Sequence, residues 1–115
     1  MDIETLQVFC KELPAVTEDI KWGNDLCFSI GGKMFCVAVL SGDLKVSLRV
    51  LTEEFEELCN RQGIIPAPYM ARHKWILIDA SGFSKNEWEH FIQQSYDLVK
   101  DKLPMKVKKR MTDEC

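Results

Sequence analysis

Leu26-Cys27-Phe28-Ser29-Ile30-Gly31-Gly32-Lys33-Met34-Phe35-Cys36-Val37-Ala38-Val39-Leu40-Ser41-Gly42-Asp43-Leu44-Lys45-Val46-Ser47-Leu48-Arg49-Val50 reads with a period of two and is broken twice by glycine. A period of two is the mark of a strand with one covered face, and Gly-Gly is a two-residue hairpin signal. With Gly31-Gly32 as the first loop, Phe28 faces Phe35 and Leu26 faces Val37. With Ser41-Gly42 as the second, Phe35 faces Leu48 and Val37 faces Val46. Both loops place Leu26, Phe28, Ile30, Phe35, Val37, Val39, Leu44, Val46 and Leu48 on one side. A slip of one residue would send one strand's apolar set to the wrong face, so a three-stranded antiparallel meander is expected.

Helical spacing surrounds this block. Ile3, Leu6, Phe9, Cys10 and Leu13 form a stripe over residues 2–13, with Asp2 as cap and Pro14 as stop. A short helix over 53–61 carries Phe55, Leu58 and Cys59, with Thr52 as its expected cap. Ser84 and Glu87 form a capping box for the last helix, and Phe83 and Trp88 a hydrophobic staple. Trp88, Phe91, Ile92, Ser95, Val99 and Leu103 follow one face of that helix up to Pro104. Two further strands are expected, Ile64 to Met70 and Lys74 to Asp79. Pro66 and Pro68 restrict the first to an edge. The expected fold is therefore α+β: two layers, an antiparallel five-stranded sheet with helices on one face, in the order α-β-β-β-α-β-β-α.

At 115 residues the chain has the size of one domain, assigned to 1–104, with a charged tail over 105–115. Its longest apolar run, Met34 to Leu40, is far short of the ~18 residues a membrane span requires. Met1-Asp2-Ile3-Glu4 lacks the basic and apolar regions of an export signal, so a cytoplasmic location is expected. The five cysteines, Cys10, Cys27, Cys36, Cys59 and Cys115, include no C-x-x-C pair and are expected to be reduced. Neither His73 nor His90 lies at ligand spacing from a cysteine. No metal or cofactor is expected. The net charge of −3 opposes nonspecific attraction to nucleic acid unless cations gather locally.

The meander leaves Cys27, Ser29, Met34, Cys36, Ala38, Leu40, Lys45, Ser47 and Arg49 on its uncovered side. That side is either an ordinary solvated face or a docking surface. Cys27 and Cys36 fall opposite each other in this register, close enough for a crosslink to be conceivable. Trp22-Gly23-Asn24-Asp25 is either a binding corner or a packed turn. Pro66-Ala67-Pro68-Tyr69 leads into Arg72-His73-Lys74-Trp75, which interleaves aromatic and basic groups as phosphate contact and base stacking require. A rigid loop with solvated cations is the plainer reading. The tail cations Lys106, Lys108, Lys109 and Arg110 could add phosphate contacts to a neighbouring groove. None of the nucleophile-elbow, phosphate-loop, dinucleotide or zinc-protease motifs is present, and no catalytic residue is assigned.

Leu13-Pro14, Trp22-Gly23-Asn24-Asp25, Lys33-Met34-Phe35, Pro66-Ala67-Pro68-Tyr69, Trp75 and Ser95-Tyr96-x-x-Val99 together resemble the MmcQ/YjbR family, over about Phe9 to Leu103. The resemblance implies an α+β fold, described as CyaY-like and similar to secretion chaperones, in a small bacterial cytoplasmic protein. It also implies DNA binding, with a double-wing arrangement of strands proposed as the reader. It makes Trp22, Asn24, Asp25, Phe35, Pro66, Pro68, Tyr69, Trp75 and Tyr96 the structural motif positions. Three classes of function are compatible with these residues. The first is a non-enzymatic DNA-binding module using Lys33, Lys45, Arg49, Arg72, His73 and Lys74. The second is a protein-interaction module or homodimer using the uncovered face around Met34, Cys36, Ala38 and Leu40. The third, an enzyme, would need a pocket of perturbed titratable groups. The first is the reading adopted from sequence.

Overall fold

A computed structural model describes residues 2–21, 24–40, 42–68, 71–79 and 83–106. Helix α1 (Ile3–Lys11) begins at Asp2, whose carboxylate accepts the Thr5 N–H at 2.8 Å. That hydrogen bond holds the Asp2 carboxyl below its ordinary value. Strands β1 (Val16–Lys21), β2 (Asp25–Ile30), β3 (Lys33–Val39) and β4 (Lys45–Arg49) follow in sequence. Then come α2 (Thr52–Cys59), β5 (Ile64–Pro66), a single 3-10 turn at Ala71–His73, β6 (Trp75–Asp79) and α3 (Lys85–Asp101). The six strands form one antiparallel sheet in the order β1-β2-β3-β4-β6-β5.

The two-layer α+β fold is as expected, but the sheet has six strands. The additional strand is β1, an edge strand that among the described residues pairs only with β2. Its residues Val16-Thr17-Glu18-Asp19-Ile20-Lys21 carry apolar side chains at only two positions, so alternation alone did not reveal it. At the opposite edge β5 is three residues long and ends in Pro66, consistent with the proline argument. Thr52 is not the cap of α2. Leu51 occupies that position and offers no side-chain hydrogen bond, and Thr52 is the first helical residue. Ser84 caps α3 by accepting the Glu87 N–H at 3.2 Å. The Glu87 carboxylate does not return to the cap and instead meets Arg61 at 3.1 Å. Phe83 and Trp88 form the expected staple, edge to face at 6.3 Å.

The main correction concerns the phase of β3. Gly31 and Gly32 both have positive φ (58° and 81°), the conformation of a two-residue hairpin loop, and Ile30 pairs with Lys33 as expected. A β-bulge then intervenes: Ser29 pairs with Met34, but Phe28 pairs with Cys36, leaving Phe35 as the extra residue. From there Cys27 faces Val37 and Leu26 faces Ala38. The second loop is longer than Ser41-Gly42 alone, because Val39 pairs with Lys45 and residues 40–44 lie between them. Cys36 and Ala38 therefore point into the helix-covered core beside Leu26, Phe28, Ile30, Val46 and Leu48. Val37 lies on the other face with Cys27. Phe28, Phe35 and Leu48 do share the covered side. Cys27 and Cys36 are on opposite faces, and the crosslink between them is ruled out by direction.

Helix α3 secures the bulge. The Ser95 hydroxyl donates to the Phe35 carbonyl and accepts the Arg49 N–H at 2.9 Å, joining two backbone groups just past the last β3–β4 pair, Cys36 with Leu48. At the next residue of α3, the Tyr96 ring meets Phe35 edge-on at 5.4 Å, and its hydroxyl donates to the Pro14 carbonyl at 2.7 Å. Tyr96→Phe keeps the ring contact and removes the hydroxyl. It is expected to lower stability by about 1 kcal/mol, measurable as a shift in urea midpoint with an unchanged slope. An unshifted midpoint would show that the tie to Pro14 contributes nothing.

Candidate nucleic-acid interface

The uncovered face of the sheet can be read row by row from the pairing. Asp25, Val39, Lys45 and Asp79 form a row near one end. The central row is Asp19, Cys27, Val37, Ser47, Leu77 and Ile65. At the other end lie Thr17, Ser29 and Met34, then Arg49 opposite Trp75. Acids occur in the first two rows and none in the third.

The six cations proposed from sequence do not form one patch. Lys33 sits at the tip of the β2-β3 hairpin opposite Ile30, whose side chain enters the helix-side core, so Lys33 projects on that side. Lys45 lies on the uncovered face but opposite Asp79, and both line a shallow 200 Å³ hollow with Ile65 and Leu77. Lys74 has φ 64° and places its ammonium over the Phe55 ring of α2 at 4.9 Å, away from the sheet face. Arg49, Arg72 and His73 remain. Arg49 is half-buried beside Trp75, while Arg72 and His73 are exposed in the turn that leads into Trp75. The Arg72 Nε–H donates to His73 Nε2 at 3.3 Å.

Trp75 does not offer its ring for stacking. It is 5% exposed, packed with Cys27, Val37 and Ala67, with Met34 and Leu77 at the margin. The indole thus closes the centre of a face that sequence left open, helped by Ala67 from the β5–β6 connection. Burial pushes the Cys27 thiol up, partly offset by Lys21 and reinforced by Asp25 and Asp19. On the covered side, a hydrogen bond with Cys10 and complete burial push the Cys36 thiol well up.

Of the other motif residues, the Asn24 carbonyl accepts the Leu40 N–H at 3.0 Å and Asp25 pairs with Lys21 across the ladder, so both build the entry to β2. Pro66 and Pro68 are exposed. Trp22 and Tyr69 lie outside the described residues, as do tail residues 107–115. The contributions that sequence missed are those of Thr17, on the strand it did not foresee, and Ala67. Small residues at these positions carry no pattern of their own.

The helix layer holds much of the negative charge. Glu53, Glu54, Glu56 and Glu57 are all on α2, and a 450 Å³ groove between α2 and α3 is rimmed by Glu54, Glu57 and Glu87 against Arg61. Among the described residues no group of three His, Cys, Asp or Glu side chains is placed to hold a metal. No described helix is long and apolar enough to cross a membrane.

Fold and charge placement together define a small α+β protein with an antiparallel sheet, helices on one face and an arginine-bearing corner on the other. Within that class the chain belongs to the YjbR family, whose sequence model matches residues 11–98. A crystal structure of a structural-genomics protein from Pseudomonas syringae has the same fold, with a TM-score of 0.74. The likeness covers 86% of this chain and 99% of that one at 19% identity. A search of curated proteins found none similar in sequence.

Proposed function

We propose that this YjbR-family protein is a non-enzymatic DNA-binding module that contacts the phosphate backbone through Arg49, Arg72 and His73. The observation that supports this reading is the row of the uncovered face that ends at Arg49 and Trp75 and contains no acid. The acids of the central and opposite rows and of α2 keep the net charge negative without neutralising that corner. Guanidinium groups suit phosphate because they are always charged and donate in a planar fork. Because Trp75 is buried, recognition rests on the backbone and not on base stacking, so little sequence preference is expected. The alternative, an apolar docking face around Met34, Cys36, Ala38 and Leu40, loses two of its four residues to the core.

A labelled duplex titrated by fluorescence anisotropy tests the proposal. Two or three phosphate contacts predict a log–log salt slope of roughly −1.8 to −2.7, about a 12- to 40-fold loss of affinity between about 50 and about 200 mM salt. Arg49→Glu and Arg72→Glu are each expected to reduce the slope by about one, and Lys33→Glu to leave it unchanged. Absence of binding at the lower salt, or equal loss with Lys33→Glu, rules the interface out.

A further inference from the structure

The edge of β1 that pairs with no other strand among the described residues carries a second interface, independent of the DNA reading. We propose that two copies of this chain pair antiparallel through β1 about a two-fold axis at Ile20, joining their sheets into one. The other sheet edge is unsuited to this. β5 is three residues long, Pro66 has no N–H to give, and the Ile64 N–H is already bonded to the Arg61 carbonyl. β1 is twice as long and contains no proline.

The backbone direction is given by one hydrogen bond. The Ile20 N–H donates to the carboxylate of its neighbour Asp19 at 2.9 Å, so it points away from β2. In an antiparallel ladder the carbonyl of the same residue points the same way, leaving Ile20 free to exchange both bonds with Ile20 of a second copy. The side chain suits this position: Ile20 is 58% exposed and lies with Leu40, 41% exposed, at an open surface hollow lined also by Ile3, Leu26, Gln7, Glu18 and Asp19.

Charge selects the register. Ile20 shares the covered face with Leu26, and Asp19 and Lys21 share the uncovered face with Cys27 and Asp25. If both helix layers are to lie on the same side, only registers that pair residues of equal parity are allowed. Centring the axis on Glu18 or Asp19 sets like acids against each other, and centring it on Lys21 does the same for lysines. Centring it on Ile20 sets Asp19 of each copy opposite Lys21 of the other, in the pair type where side chains approach most closely. The Asp19 carboxylate then exchanges its own Ile20 N–H for the second copy's ammonium as the ladder forms.

Charge-swapped pairing tests this in the full chain. Sedimentation of the parent protein over a concentration series should show a monomer–dimer equilibrium. Asp19→Lys sets two lysines opposite each other and Lys21→Glu sets two acids opposite each other. Each variant alone should self-associate roughly tenfold or more weakly than the parent. An equimolar mixture should regain the dimer, because each reversed charge then meets its opposite at both pairs. Circular dichroism matching the parent establishes that each variant is folded. A parent that stays monomeric throughout, variants that dimerise as well as the parent, or folded variants that fail to combine when mixed would each overturn the proposal.

Discussion

Ser95→Val is expected to cost about 2–6 kcal/mol, since a part-buried N–H and a buried C=O each lose their partner at about 1–3 kcal/mol apiece. The two groups are the Arg49 amide and the Phe35 carbonyl, both joined by the Ser95 hydroxyl. Valine is larger than serine and would crowd this fully buried site, so Ser95→Ala, which removes the hydroxyl without adding volume, is measured beside it to isolate the hydrogen bonds. Total stability for a domain of this size is of order 5–15 kcal/mol, and the variant would be only marginally folded. Urea unfolding followed by far-UV circular dichroism reads the effect, with Gln93→Ala on the exposed side of α3 as control. If the Ser95→Val midpoint falls no further than the control's, the hydroxyl is not what holds the bulge.

The second large effect is at Trp75. Trp75→Ala is expected to destabilise the fold by about 3–5 kcal/mol, the usual range for removing a buried indole. It also has a chemical readout. Cys27 is 1% exposed on a face with no helix layer, and Trp75 is the largest side chain of the small cluster that covers it. Removing the indole should make one additional thiol reactive toward an aromatic disulfide reagent in the native state. Destabilisation without added thiol reactivity would mean that Ala67 and its neighbours cover Cys27 without the indole.

Much of this arrangement was legible in the residues, and the part that was not has a definite cause. The helix stripes, the Ser84 cap, the Phe83–Trp88 staple, the Gly31-Gly32 hairpin and the proline-limited edge all follow from local chemistry. The phase of β3 does not. Two loop readings agreed with each other, but both passed through β3, so an error in that strand was invisible to their agreement. The bulge at Phe35 adds one residue on one side of it, and the longer 40–44 loop takes up the offset on the other. The two offsets cancel, which is why β2 and β4 present the expected faces while Cys36, Val37, Ala38 and Val39 are exchanged. A bulge placed by a serine on a distant helix leaves no mark in the strand itself. For the candidate interface, Arg49 on the uncovered face was readable from alternation. The diversion of Lys74 onto Phe55 was not, because it depends on a positive φ at a non-glycine residue.

Ser95 lies 60 residues after Phe35 and 46 after Arg49. A polypeptide emerging from a ribosome will have made both meander strands long before it can complete the join between them. Until α3 arrives, the middle of the sheet has an amide and a carbonyl that only water can serve. The domain is thus finished from its C-terminal side, and such distant closures make for slow folding.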